Sequence, residues 1–277
     1  MPITTPTSQP LDIIIMAGQS NMEGNGLGCS EKAYKPTPDI LMMNGKLNTR
    51  VEKKAYGNAY LVVDYSKEYT IGVADERTEG NLSRYSLALR FAELYKRNDL
   101  KEGRGLLLLQ TSVGGTGFAK GHWGVGGPLS ERMLDMVSEA LKMNSENRVV
   151  AFLWHQGEHD AYEGASLSKD ELRESYENGL STLISRTRAA IGEVPFISAG
   201  FTHCWMLEYP EQNETVLSVT ERLCSELNKA AFIRNTLDLS VNDELVSDGD
   251  TVHFSRPALI TLGERYYEAF SKIKDKD

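Results

Sequence analysis

The chain has 277 residues and a formal net charge of −9, with 30 Lys and Arg against 39 Asp and Glu, and 40% of it is apolar. That balance excludes a general binder of phosphate backbones, which needs a basic patch, and the apolar runs are too short for a helix that spans a bilayer. Three cysteines, Cys29, Cys204 and Cys224, make a poor disulfide framework, but a chain this long buries a substantial core without staples.

Residues 1–10 form a polar extension. No basic stretch leads into an apolar core there, so the expectation is no signal peptide and a cytoplasmic setting. Residues 11–277 read as a single domain, since no linker rich in Pro, Gly or Ser interrupts them. The run 11–17 (LDIIIMA) predicts a first strand, ending at Gly18, and 39–43 a second. Residues 44–79 are polar and irregular and predict loops and short strands near one edge. A helix follows over 82–96, with Leu87, Phe91, Leu94 and Tyr95 on one face, then a strand at 105–110 (GLLLLQ). A helix over 129–141 precedes a strand at 149–154 (VVAFLW). Ser168 and Glu171 form a capping-box pattern for a helix with the stripe Leu172, Tyr176, Leu180 and Leu183. The strand 194–199, a helix over 216–231, a weaker strand at 237–239 and a helix over 256–273 complete the chain, with Ser255 as the last cap and Pro257 in the first turn.

Continuous apolar strands alternating with helices imply a doubly wound, three-layer α/β/α sandwich around a parallel sheet. Ligands of such folds bind beyond the carboxyl ends of the strands. Unusual segments follow the first, third and fourth predicted strands.

After the first strand comes Gly18-Gln19-Ser20-Asn21-Met22. A serine at a strand-to-helix turn lies beside free backbone N–H groups, which suits a nucleophile whose oxyanion needs donors. The alternative is that Ser20 or Asn21 only caps the helix. In Asp250-Thr251-Val252-His253 the carboxylate can fold back onto Nδ1–H of the histidine and leave Nε2 to take a proton. The alternative is a loop histidine beside a solvated acid, and Asp248 is a second candidate partner. Gly114-Gly115-Thr116-Gly117 lets backbone N–H groups approach a substrate oxygen or is simply a flexible turn; no Lys-Ser or Lys-Thr pair follows to make it a phosphate loop. In Trp154-His155-Gln156-Gly157-Glu158, Gln156 can donate to an oxyanion and Glu158 is an acid at the mouth of the sheet, unless Trp154 is core and the rest solvated loop. His155 and His159 also fit a His-x-x-Glu-His zinc motif, although a glycine interrupts it. Trp123 and Trp205 are either stacking platforms for a sugar or core.

Taken in order, the four blocks at 18–22, 114–116, 154–158 and 250–253 resemble carbohydrate esterase family six, with its acetylxylan-esterase-like members, and the sialic-acid O-acetylesterase domain, both within the SGNH-hydrolase superfamily. The likeness runs over residues 11–270. It implies a flavodoxin-like sheet of order 2-1-3-4-5, Ser20 as nucleophile, His253 as base and Asp250 as the group that orients it. It further implies an oxyanion hole of the Ser20 and Gly115 N–H groups with the Gln156 amide, and a contact between Glu158 and the catalytic histidine. Gln19, Asn21 and Trp123 are the expected substrate contacts. The expected reaction is hydrolysis of a small acyl ester, an acetyl group on a carbohydrate or oligosaccharide, with no cofactor, no metal, no nucleic acid and no membrane partner. The rival readings are a zinc hydrolase using His155 and His159, and a carbohydrate-binding protein that has lost catalysis.

Overall fold

In a computed structural model of the chain, the structure describes residues 8–30, 34–53 and 59–276. Every residue of strand β1 (Leu11–Gly18) is buried, as a strand covered on both faces requires. It lies between β6 (Gly105–Gln110) and β7 (Arg148–His155), parallel to both. Beyond β7 come β8 (Phe196–Ala199) and β9 (Ala230–Ile233), also parallel. Beyond β6 come β2 (Ile40–Lys53) and β3 (Ala59–Val73), which gives the order β3-β2-β6-β1-β7-β8-β9.

The strands β1, β6, β7, β8 and β9 are therefore the five in the order 2-1-3-4-5, and membership of that set differs from expectation. The strand expected at 39–43 is not the second of them but lies outside β6. The fifth place belongs to β9, where the sequence predicts the end of a helix over 216–231. The observed helix α7 (Pro210–Glu226) stops earlier: Leu227 is already extended, at φ −91° and ψ 138°, and Lys229, with a φ of 48°, turns the chain into Ala230. Residues 237–239 form no strand.

Much of the stretch expected as irregular, 44–79, belongs to the long antiparallel β2–β3 hairpin. Backbone pairing there needs no continuous apolar run, because the ladder is made by main-chain N–H and C=O groups. A small hairpin, β4 (Arg77–Glu79) with β5 (Leu82–Arg84), takes the start of the helix expected from residue 82. That helix, α2 (Leu87–Asn98), begins after Ser86, whose hydroxyl accepts the Ala88 N–H at 3.3 Å.

One face of the sheet packs Met133 of α3 (Pro128–Lys142), Leu180 of α5 (Lys169–Ile191) and Val216 of α7 into a core with Phe152 and Trp154. The other face packs Phe91 of α2 with Leu259 and Tyr266 of α9 (Arg256–Ile273). At the amino end of β1 the fully buried Asp12 accepts hydrogen bonds from Arg104 Nε and Arg148 Nε, each at 2.7 Å, and from the Tyr95 hydroxyl at 2.7 Å. This cluster fastens the bottom of the sheet, and the carboxyl ends of β1, β6 and β7 stay free for chemistry. Cys29, Cys204 and Cys224 are all free thiols. Among the described residues no helix is long and apolar enough to cross a membrane.

Candidate active site

β1 ends where only glycine fits. Gly18 has a φ of +128°, and a Cβ there would lie 2.1 Å from the His155 carbonyl oxygen. The chain then turns into the short helix α1 (Ser20–Glu23), so Ser20 occupies a first helical position, where backbone N–H groups have no partner within the helix. Gly114, beyond β6, approaches so closely that its Cβ would stand 3.4 Å from Ser20 Cβ, and its N–H donates to Glu23 Oε2 at 2.7 Å. Gly115 follows with a φ of +69°. Among the described residues, the N–H groups of Ser20 and Gly115 meet no acceptor.

His253 Nδ1–H donates to Asp250 Oδ2 at 2.7 Å, and the His253 backbone N–H donates to Asp250 Oδ1 at 3.1 Å. Asn242 Nδ2 adds a third bond to that carboxylate at 2.9 Å. Burial pushes the Asp250 pKa up, but the hydrogen bond and charge of His253 and the Asn242 amide outweigh it, and the group is held below the ordinary value. Asp248, the other candidate partner, instead accepts the Asp250 N–H at 3.0 Å. Ser20, Gly115, Asp250 and His253 all line one cleft of about 670 Å³.

Four expected roles are not where the structure places the side chains. Glu158 is buried, and among the described residues it makes no hydrogen bond to His253. Its Oε1 accepts from Asn21 Nδ2 at 2.8 Å and lies 3.5 Å from His155 Nε2. Asn21, expected to touch substrate, is fully buried and uses its carboxamide on Glu158, on the Phe254 N–H and on the Val252 carbonyl. Gln156, expected at the oxyanion, spends its amide N–H groups on Asp160 Oδ2 at 2.5 Å and the Thr116 carbonyl at 3.1 Å. Gly157, with a φ of +141°, starts helix α4 (Glu158–Glu163), and that turn brings Asp160 over Gln156. Trp123 is core: its Nε1–H donates to Thr116 Oγ1 at 3.0 Å, and its ring meets Trp154 edge-on at 5.1 Å. Gln19 does line the cleft, where its Oε1 accepts the His159 N–H at 3.2 Å.

The structure adds residues that sequence reasoning missed. Asp160 accepts the N–H groups of Phe118 at 3.1 Å and Ala119 at 2.7 Å, which holds the loop after Gly115, and burial pushes its carboxyl up to about 6 against those hydrogen bonds. Glu23 and, from the β4–β5 hairpin, Arg77 and Arg84 also line the cleft. Arg77 carried no signal in a stretch read as loops, and Arg84 none at the start of an expected helix.

The zinc pairing finds no support in the placement of its histidines. His155 is in the core with Nδ1 at 3.1 Å from the Tyr266 hydroxyl, whereas His159 is on the cleft wall with Nε2 at 3.7 Å from Glu163. Among the described residues no cluster of three His, Cys, Asp or Glu side chains is arranged to hold a metal.

Comparison with known proteins places the chain in a family. The model of the family described as carbohydrate esterase, sialic acid-specific acetylesterase, matches residues 10–272. The fold is similar to that of NanS (16% identity, 98% of each chain covered, TM-score 0.69). It is also similar to a protein from Arabidopsis thaliana (19% identity, 95% of this chain and 98% of that one, TM-score 0.64). A carbohydrate acetylesterase from Xanthomonas citri shares the fold as well (14% identity, 95% of this chain and 56% of that one, TM-score 0.56). No curated protein matches the sequence. The chain belongs to the sialic acid-specific acetylesterase family and is a carbohydrate esterase of the SGNH type, a carboxylic ester hydrolase.

Proposed function

We propose that this esterase removes acetyl groups from a sugar or oligosaccharide through an acyl-enzyme on Ser20. Ser20 Oγ attacks the ester carbonyl carbon, and its proton passes to His253 Nε2. Asp250 holds the ring by Nδ1–H and stabilises the imidazolium that forms. The N–H groups of Ser20 and Gly115 take the oxyanion. As the C–O bond to the sugar breaks, His253 returns the proton to the leaving alkoxide. A water, deprotonated by His253, then attacks the acyl carbon, and acetate leaves with Ser20 restored.

The observation that carries this reading is the hydrogen-bonded Asp250–His253 pair sharing a cleft with Ser20 and two N–H groups that meet no acceptor among the described residues. The route calls on neither metal nor organic cofactor, and residues 11–277 form its catalytic unit. The test is a serine-directed organophosphorus reagent together with Ser20→Ala. One adduct should form, on Ser20, and the variant should lose on the order of 10⁶ in kcat while it keeps its fold. An adduct elsewhere, or near-normal turnover by the variant, overturns the mechanism.

A further inference from the structure

Two groups of side chains lining the cleft differ in chemistry. In one, Arg77 Nη1 lies 2.6 Å from Glu23 Oε1 and its Nη2 lies 2.9 Å from Glu79 Oε2, while Arg84 Nε lies 2.8 Å from that same Glu79 oxygen. Two guanidinium groups thus stand against two carboxylates, and this group has no charge left over. Asp250, ionised beside His253, and Glu158 line the cleft as well. Among the described residues that line it, no arginine or lysine lacks a carboxylate partner.

The other group is aromatic. His159, Tyr162 and Trp205 line the cleft, and Tyr209 packs behind them. Ring centroids follow one another at 6.2 Å from His159 to Tyr162, 5.8 Å from Tyr162 to Tyr209 and 4.9 Å from Tyr209 to Trp205. Burial lowers the pKa of His159, which favours a neutral ring in continuation of the shelf. Tyr162 remains 44% exposed, a large aromatic surface left to water at the mouth of a catalytic cleft.

The shelf is fixed in place relative to the catalytic loop. Trp205 belongs to the short helix α6 (His203–Glu208), whose cap, Thr202, accepts the Trp205 N–H at 3.1 Å. The same Thr202 hydroxyl donates to the Thr251 carbonyl at 2.9 Å, between Asp250 and His253 in sequence. A ring resting on Trp205 is therefore held at a set distance from the base.

We propose that Tyr162 and Trp205 form the subsite for the ring of the sugar ester, and that the ring it accepts is uncharged. The axial C–H face of a pyranose buries apolar area against an aromatic plane while its equatorial hydroxyls stay hydrated. A sugar carboxylate would have to lose water in a cleft whose cations already have partners, and that desolvation goes uncompensated. This inference rests on the esterase reading above and departs from the sugar in the family's description.

The test compares ethyl acetate, a mono-O-acetylated methyl xyloside and an O-acetylated N-acetylneuraminic acid as substrates. Wild type should turn over the xyloside with kcat/KM at least about tenfold above the acidic sugar, a gap of ~1.4 kcal/mol. Tyr162→Ala and Trp205→Ala should each lose about tenfold more on the xyloside than on ethyl acetate, chiefly in KM, and Tyr162→Phe should restore most of it. Preference for the acidic sugar, or equal losses on the two neutral esters, overturns the proposal. If wild type fails on ethyl acetate too, the esterase reading falls by itself. Calorimetric titration of Ser20→Ala with methyl xyloside, with and without Tyr162→Ala, still reads the shelf. Binding weakened by Tyr162→Ala supports it, whereas unchanged or undetectable binding overturns it.

Discussion

Asn21 Nδ2 donates to Glu158 Oε1 at 2.8 Å, and through this bond a buried acid fixes the segment that carries His253. The same carboxamide accepts the Phe254 N–H on Oδ1 at 3.0 Å and donates to the Val252 carbonyl at 3.3 Å. Asn21 therefore grips the residues on either side of His253, the proposed base. Burial opposes the charge on Glu158, but the hydrogen bond and charge of His155 and the bond from Asn21 outweigh it and hold the group below the ordinary carboxylate pKa.

From this arrangement we expect Asn21→Ala to lower kcat by up to about 10²-fold with a smaller change in KM, because a misplaced base loses rate rather than binding. It should also cost about 1–3 kcal/mol of stability, since the buried Phe254 N–H loses its acceptor. Glu158→Gln keeps an oxygen for Asn21 and should be the milder change. Steady-state kinetics and urea unfolding on both variants check this. Loss of all activity in Glu158→Gln alone would mean that the acid acts on His253 directly.

The Asp250–His253 pair predicts a larger effect. Asp250→Asn retains the shape but presents an amide to the imidazole and favours the wrong tautomer, so kcat should fall about 10⁴-fold. The ordinary value of the Asp250 group is 3.8 and the folded value is lower. Its contribution to stability is therefore present above 3.8 and fades as the pH falls through the folded value. Unfolding curves of wild type and variant should converge only under strongly acidic conditions. A variant that differs from wild type equally at all pH values would contradict this.

Some of this was readable in the sequence, for reasons particular residues make clear. Strands β1, β6 and β7 are buried on both faces, so their apolar runs are continuous and their ends can be located. Ser20 and His253 follow from that, because one sits at a strand end and the other just ahead of the last helix. β9 was hidden because Ala230 and Ala231 also suit a helix, and the backbone turn from Leu227 to Lys229 decides between the two. The β2–β3 hairpin was hidden because its pairing is made by backbone groups and leaves little trace in side-chain hydrophobicity. The role expected of Gln156 was chemically sound, yet it ignored a competing acceptor, Asp160, that only the start of α4 brings within reach.

A control far from the cleft separates stability from catalysis. Asp12→Ala should leave Arg104, Arg148 and the Tyr95 hydroxyl around a vacated carboxylate site at the opposite end of β1. Removal of one partner from a buried charge cluster costs about 3–5 kcal/mol. Urea unfolding should show that loss, while kcat of the folded fraction stays at the wild-type value. An equal drop in kcat would mean that strain passes along β1 to Ser20.

Asp160 supplies the most distinctive dependence on pH. Burial raises its pKa from 3.8 to about 6, against hydrogen bonds from Ala119, Gln156 and Phe118. The folded state therefore holds a proton that the unfolded chain has already released between those values. The stability this gives is fully present below 3.8 and is lost as the pH rises through about 6. The shift is on the order of 3 kcal/mol. Asp160→Asn removes the ionisation, so its unfolding free energy should vary less with pH across that window, and an unchanged slope would exclude Asp160 as the source. Gln156 tests the same cluster from the other side. Gln156→Glu would set a second carboxylate against Asp160 and should destabilise the fold more above pH ~6 than below it. Gln156→Ala removes a support of the loop after Gly115 and not a donor to the oxyanion, so its loss in kcat should stay below about tenfold, whereas a true oxyanion donor is worth about 10²–10³. A loss of that larger size with KM unchanged would mean that the Gln156 amide leaves Asp160 during turnover and joins the N–H groups of Ser20 and Gly115.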